Sequence, residues 1–373
     1  MAKNINKKAF DEATKLKLEI FGESFEEWLP VFIHDKYTSK VYIFDFFAGS
    51  GTDINNNLGS PLILLDKAKG ENRKYCSKAQ KSIIFFFNEG EIYKSNELKQ
   101  NTDKFLENCT KENNCSQCVY DYHILNYDFQ ELFNNPGLKK IFEDKNAAKF
   151  VILDQYGFRQ INEDIFKQLI SFPKTDFIFF ISSSFINRFK DHPYTKQHID
   201  TSKIKFDDKG TKEIHRAVAD YFRSLIPNGK EYYLHHFSIK KGSNYYGLIF
   251  GTNHTLGMEK FLKVCWYHDK LSGEANFKIE INDFEEGTLF YNPKTTVIKE
   301  KIKNEIKELI LSGKILDNET GLKYALKRGC EPKLFTEVVQ SLIEKGLIEI
   351  IGHFNKQATN IHRIREIYKI KLK

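Results

Sequence analysis

Five short apolar runs, each followed by a segment long enough for a crossover helix, constrain this chain more than any other feature. They are VYIFDFF (41–47), SIIFFFN (82–88), VYDYHILNY (119–127), KFVILD (149–154) and DFIFFISS (176–183). The spacing between them predicts helices at about 60–69, 94–107, 129–142 and 160–171. Strands apolar enough to be covered on both faces, joined by helices, predict an α/β fold with a parallel, doubly wound sheet. An N-terminal helix is predicted over 9–34, with a break near Gly22. After the helical segment KEIHRAVADYFRSLI, two apolar strands flank KKGSN in EYYLHHFSIKKGSNYYGLIFGTNH, which is a hairpin signal.

A chain of 373 residues with 41% hydrophobic and 29% charged residues has room for two domains and a sizeable core. The longer apolar runs are broken well before the ~20 residues that span a bilayer. The basic start, MAKNINKKAF, lacks the apolar centre of a secretion signal. No membrane partner and a cytoplasmic location are therefore expected, and the six cysteines read as thiols or metal ligands rather than disulfides.

The first strand ends in Asp45-Phe46-Phe47-Ala48-Gly49-Ser50-Gly51. Glycines at that point let the chain turn sharply and a ligand approach the backbone, although a tight strand–helix turn needs glycine even without a ligand. The third glycine of a dinucleotide fingerprint is missing, which counts against NAD. The second strand runs into Glu89, whose carboxylate can accept from two ribose hydroxyls, and the third into Asp128, which can accept from an adenine amino group. Three acids at successive strand ends line one crevice, where ligands of such sheets bind. They suit a cationic adenosine ligand, S-adenosylmethionine, held by Asp45, Phe47, Ala48, Gly49, Gly51, Glu89 and Asp128. A parallel sheet ending in a hairpin likewise suits a class I methyltransferase better than a dehydrogenase.

The fourth strand ends in Asp154-Gln155-Tyr156-Gly157. In amine methyltransferases this place holds an acid, two prolines and an aromatic, which orient the amine and stack on a flipped base. Asp154, the Gln155 carbonyl and Tyr156 are the candidate catalytic residues, while Gln155 forgoes the rigidity of proline. The alternative is a turn whose tyrosine covers the cofactor. Further along, Cys109, Cys115, Cys118 and His123 have the spacing C-x5-C-x2-C-x4-H, able to complete a tetrahedral zinc site. Cys76 is an alternative fourth ligand if His123 points into the sheet. Unligated thiols and an iron–sulfur cluster remain open.

The net charge of +7 sits in the last segment: residues 294–373 hold 17 Lys+Arg and 10 Asp+Glu, and the remainder is balanced. Three helices followed by a β-ribbon are predicted there, the pattern of a winged helix-turn-helix. Pro332 fits the start and Gly346 the end of the third helix. Lys333, Thr336, Glu337 and Gln340 are expected to face outward, with Arg363, Arg365, Lys369, Lys371 and Lys373 on or after the wing. Such a module reads nucleic acid or docks a protein.

IFDFFAGSG followed by GSPLILL, then LDQYG, FFISSSFINRF, YYGLIFGTNHTLGMEKFLKVCW and VVQSLIEKGLIEI together resemble the three-Cys-motif partner proteins. These are prokaryotic methyltransferase-like proteins encoded beside a radical-SAM-like protein that bears the three cysteines. The resemblance spans most of the chain. It implies a Rossmann-like methyltransferase domain; the residues themselves place that domain over 1–290, with a cysteine-rich insertion near 109–123, and a winged-helix domain over 294–373. It also implies cofactor binding at Asp45, Gly49, Gly51 and Glu89, and a protein partner. This chain departs from the family at Gln155, where proline is usual. The expected activity is methyl transfer to an amino group of a nucleic-acid base. The alternatives are a regulatory subunit that docks the three-Cys protein, or a methyltransferase acting on a protein or small molecule.

Overall fold

A computed structural model describes residues 8–76, 81–155, 157–206, 211–279, 287, 295–355, 357, 359, 361–364 and 366–373, with the side chains of Thr211 and Arg363 excepted. The chain divides into two compact units, Met1–Tyr232 with Ser238–Asn253, and Tyr233–Phe237 with His254–Lys373. The expected domain boundary at 290–294 lies outside the described residues.

In the first unit, helix α1 (Glu12–His34) precedes β1 (Lys40–Asp45), α2 (Ser60–Ala68), β2 (Ser82–Asn88), α3 (Ile92–Glu112) and β3 (Asp121–Leu125). There follow α4 (Phe129–Phe133), α5 (Pro136–Glu143), β4 (Ala147–Leu153), α6 (Glu163–Ser171) and β5 (Thr175–Ile181). Short helices α7 (Ser183–Arg188) and α8 (Pro193–Lys196) lead to α9 (Ile214–Ser224), to β6 (Tyr233–Lys241), whose residues Tyr233–Phe237 are counted with the second unit, and to β7 (Asn244–Thr252). The strand order is β3-β2-β1-β4-β5-β7-β6. The first five strands are parallel, and β7 runs antiparallel to β5.

Helices cover both faces of this sheet, which is why its strands read as unbroken apolar runs. On one face, Phe25 and Trp28 of α1 pack on Phe150 of β4 at ring separations of 5.4 and 5.1 Å. On the other, Phe142 of α5 stacks on Phe44 of β1 at 5.0 Å. The helix expected over 129–142 is two helices, because Asn135 and Pro136 end one and start the next. Asn135 accepts from the N–H of Gly137, and Pro136 occupies the first turn of α5.

The break expected near Gly22 is corrected: α1 runs through it without interruption. Glycine is required there for a different reason. A β-carbon on Gly22 would stand 2.7 Å from Ile63 Cγ2, so the glycine lets α1 and α2 pack closely.

In the second unit, α10 (Thr255–His268) is followed by α11 (Val297–Leu311), α12 (Asn318–Lys327), α13 (Lys333–Glu344), β8 (Ile348–Ile351) and β9 (Lys369–Leu372). Helix α13 packs on α11 and α12 through Leu334, Phe335, Val338, Val339 and Leu342. Gly321 of α12 leaves room for the Phe335 ring, since a β-carbon there would lie 2.1 Å from it. Strands β8 and β9 form an antiparallel ribbon, and Gly346 takes the left-handed conformation (φ 68°) that ends α13.

Candidate active site

Among the described residues, the loop after β1 leaves one carboxylate oxygen of Asp45 without a hydrogen-bond partner. Asp45 is fully buried; its Oδ1 accepts from the Phe47 N–H at 3.1 Å, whereas among the described residues its Oδ2 has no hydrogen-bond partner. Burial pushes its pKa from 3.8 up to about 7, with the nearby carboxylate of Asp154 acting in the same direction. The Ser60 hydroxyl, the Phe47 N–H and the Lys17 ammonium offset part of that rise. Gly49 and Gly51 follow in the left-handed region, at φ 63° and 82°. A β-carbon on Gly51 would be strained there and would lie 3.0 Å from Leu98 Cδ1 of α3.

Neighbouring elements fix this loop from outside. Ser50 donates to Glu97 at 2.7 Å, Asn101 Nδ2 donates to the Ser50 carbonyl at 2.8 Å, and the Gly59 N–H donates to the Gly51 carbonyl at 2.7 Å. Glu89 accepts from the N–H of Gly49 at 3.0 Å and from the N–H of Glu91 at 2.9 Å. Each of its oxygens keeps a lone pair for a further donor. Asp128 is exposed at the start of α4, where it accepts from the N–H groups of Gln130 and Glu131. Phe47 packs on Phe129 at 5.0 Å, and the Ala48 N–H donates to the Asn88 carbonyl at 2.9 Å.

Asn88 was not singled out by sequence, yet it ties the three strand ends together. Its Nδ2 donates to the carbonyls of Phe46 and Tyr127, and its Oδ1 accepts from the Tyr127 N–H. A buried amide in the last position of an apolar strand is the signal that marks it.

At the end of β4, Asp154 forms an ion pair with Lys17 of α1, whose ammonium also lies 4.8 Å from the centre of the Phe180 ring. Nothing in sequence couples positions 137 residues apart, so Lys17 could be found only in three dimensions. The Gln155 side chain is buried and makes three hydrogen bonds. Its Oε1 accepts from the N–H groups of Gln160 (2.8 Å) and Ile161 (3.3 Å), and its Nε2 donates to the Phe180 carbonyl (3.3 Å). The rigidity that a proline would give this loop is supplied by these bonds, and by the Ser182 N–H donating to the Gly157 carbonyl at 3.1 Å. Tyr156 lies outside the described residues.

Of the expected metal ligands, Cys109, Cys115 and Cys118 line one cavity together with Cys76. His123 is corrected: it faces Phe86 across the β2–β3 ladder and stacks on that ring at 4.9 Å. Tyr120, which lines the cavity, packs instead on Phe85. Adjacent strand residues point to opposite faces, so His123 and the thiols are on different sides of the sheet. Among the described residues, no group of three or more His, Cys, Asp or Glu side chains is arranged to hold a metal ion.

In α13, Lys333 is exposed and Gln340 half-buried, donating to Glu344 at 2.7 Å. Thr336 is corrected: it is buried, and its hydroxyl donates to the Lys333 carbonyl at 2.8 Å. Glu337 is exposed but pairs with Lys303 of α11 at 3.3 Å. Lys369 is exposed on β9 and pairs with Asp317 at 3.4 Å. Arg363 lies in a short 3-10 turn, and Arg365 lies outside the described residues.

A mostly parallel seven-stranded sheet in this order, with β7 inserted antiparallel beside β5, is the Rossmann-like methyltransferase fold. No family model and no curated protein matches the chain. Several solved structures are similar to it. Human methyltransferase 10 domain containing protein matches with 10% identity and a TM-score of 0.32, over 63% of this chain and 83% of that one. The O-methyltransferase TomG from Streptomyces achromogenes, in complex with SAM, matches with 9% identity and a TM-score of 0.32, over 65% and 89%. The O-methyltransferase from Bacillus cereus, in complex with SAH, matches with 12% identity and a TM-score of 0.31, over 65% and 90%. No helix among the described residues is long and apolar enough to cross a membrane.

Proposed function

We propose that this protein is an S-adenosylmethionine-dependent methyltransferase that modifies an amino nitrogen of a nucleic-acid base. The observation that carries the cofactor reading is Asp45 Oδ2, a buried acceptor that lacks a partner among the described residues and stands beside two left-handed glycines. A cationic ligand with hydrogen-bond donors satisfies it. The loop of Phe47, Ala48, Gly49 and Gly51 would approach the ligand through its backbone, Glu89 would accept from ribose hydroxyls, and Asp128 would border the base. S-adenosylmethionine supplies an electrophilic methyl group. Asp154 and the Gln155 carbonyl would accept from the substrate amine and orient its lone pair, with Tyr156 stacking on the base. Lys17 occupies Asp154 Oδ2, which leaves Oδ1 as the acceptor for the amine.

The arrangement of α11, α12, α13 and the β8–β9 ribbon supports reading the C-terminal module as a winged helix. Lys369, Lys371 and Lys373 are exposed on or beside its ribbon and would contact phosphates, with Lys333, Gln340, Arg363 and Arg365 as further candidates. The test is methyl transfer from labelled cofactor to single-stranded and duplex DNA and RNA, comparing wild type with Asp154→Ala. Transfer abolished in a variant that still binds cofactor supports the reading, and wild-type transfer overturns it.

A second reading is favoured by the surface of α13. Its exposed positions include Glu337 and Glu344 beside Lys333 and Lys345, a mixed face rather than a basic one. That face suits docking to a protein, and the resemblance nominates the three-Cys-motif protein as partner. Co-purification that depends on residues 294–373, with no turnover on nucleic acid, would favour this reading.

A further inference from the structure

We propose that Cys76, Cys109, Cys115 and Cys118 bind one zinc ion as a closed tetrathiolate site, and that His123 takes no part. The four thiols come from three chain segments. Cys76 follows a 3-10 turn (Glu71–Arg73), Cys109 sits in the last turn of α3, and Cys115 and Cys118 form a C-x2-C knuckle just beyond it. All four line one cavity of about 160 Å³, which Lys69 and Arg73 also border. The remaining two cysteines, Cys265 and Cys330, are buried in the other unit.

The surroundings offer hydrogen-bond donors to the sulfurs. A tetrathiolate zinc centre carries a net double negative charge, and its sulfurs accept hydrogen bonds from the surrounding shell. Arg73 Nη2 already donates to Cys115 Sγ at 2.7 Å, and Asn113 Nδ2 donates to Cys109 Sγ at 3.7 Å. Lys69, half-buried in the cavity wall, is paired with Asp66 at 2.5 Å, which leaves Arg73 as the cation in contact with a sulfur. The Arg73 and Asn113 donors suit sulfurs that carry negative charge.

The position explains what the ion would do. The segments 69–76 and 113–120 have little apolar packing of their own; Tyr120 is the buried aromatic between them, donating to the Ala68 carbonyl at 2.7 Å. Zinc would staple both segments and the end of α3 to the sheet edge at β3. The sulfurs are not at ligating positions in the metal-free arrangement. Side-chain rotation would draw them onto a common centre with Zn–S distances of about 2.3 Å. Four protein ligands leave no open position, so the role is structural rather than catalytic.

The test is metal content of the full-length protein purified without added metal, then cobalt substitution read by absorption, in wild type, Cys76→Ser, Cys118→Ser and His123→Ala. One zinc per chain is expected, with the intense visible bands of tetrahedral cobalt thiolate. Both serine variants should lose these signals or bind metal at least tenfold more weakly, while His123→Ala keeps them. Circular dichroism establishes that each variant is folded. A variant too unstable to purify is replaced by apparent metal affinity measured by chelator competition on Cys76→Asp. A folded wild type without metal, one containing iron in place of zinc, disulfides among these cysteines, or metal lost in His123→Ala would each overturn the proposal.

Discussion

Lys17 of α1 and Asp154 at the end of β4 form an ion pair in which both side chains are mostly buried, at 12% and 17% exposure. The pair links the N-terminal helix to the strand end where the methyl acceptor is proposed to bind. It also bears on Asp45, whose pKa Asp154 raises and Lys17 lowers. A cation is therefore already at work in the crevice before any ligand enters.

Removing that cation should cost stability. Lys17→Met leaves Asp154 unpaired and should destabilise the protein by about 1.5–3 kcal/mol, the usual worth of a hydrogen-bonded charge. Adding Asp154→Asn should recover much of the loss, because the partner left unpaired is then neutral. Urea unfolding of the two single variants and the double variant measures the coupling. Strictly additive effects would show that the pair contributes nothing.

Asp45 makes cofactor affinity and stability respond to pH in opposite directions. Its folded pKa of about 7 lies above the unfolded 3.8, so the native state holds this proton more tightly. That stabilising contribution is complete below pH 3.8 and is lost as pH rises through about 7. Asp176, raised to about 6 chiefly by burial, adds a parallel loss that ends sooner. Binding of a cationic ligand needs the ionised carboxylate, so affinity should climb towards pH 7 and level off above it. Asp45→Asn should flatten the affinity profile and raise ligand-free stability at pH 8 by about 1–3 kcal/mol, the cost of an unsatisfied buried group. Calorimetric titrations and thermal melts from pH 5 to pH 9 check both signs.

Gln155 should act on turnover rather than on cofactor binding. Gln155→Ala removes the three side-chain hydrogen bonds that hold residues 160, 161 and 180, none of them made to the glycine loop. A fall of about 10–100-fold in kcat is expected, equivalent to about 1.4–2.7 kcal/mol, with cofactor Kd unchanged. Gln155→Pro should not restore activity here, because the loop is anchored through the glutamine side chain. A proline variant as active as wild type would contradict this.

Gly22 should resist replacement even though it sits inside a helix. Alanine gains about 1 kcal/mol of helix propensity over glycine. Its β-carbon would stand 2.7 Å from Ile63 Cγ2, however, and overpacking typically costs about 1–3 kcal/mol. Gly22→Ala should therefore lower Tm, and Gly22→Val should lower it further. A rise in Tm would show that α1 and α2 can separate at no cost.

The sheet was legible in sequence because strands covered on both faces show as continuous apolar runs, and the acids at their ends followed directly. Features that depend on distant neighbours were not legible. Gly22 looked like a helix break because propensity knows nothing of Ile63. Thr336 read as outward-facing, but it lies on a face of α13 closed off within the helical unit. The side of the sheet on which His123 falls was not legible either, because spacing alone does not say which face a residue of β3 occupies. Lys17 and Asn88 were missed for a similar reason: one acts across 137 residues, and the other bonds to two separate strand ends.

The most direct test of the account is titration of S-adenosylmethionine into the purified protein, with Asp45→Ala and Glu89→Ala measured alongside. Saturable binding at one site per chain, lost or weakened at least tenfold in both variants, is the predicted result. No binding to a folded wild-type protein, or equal binding to all three, would contradict it.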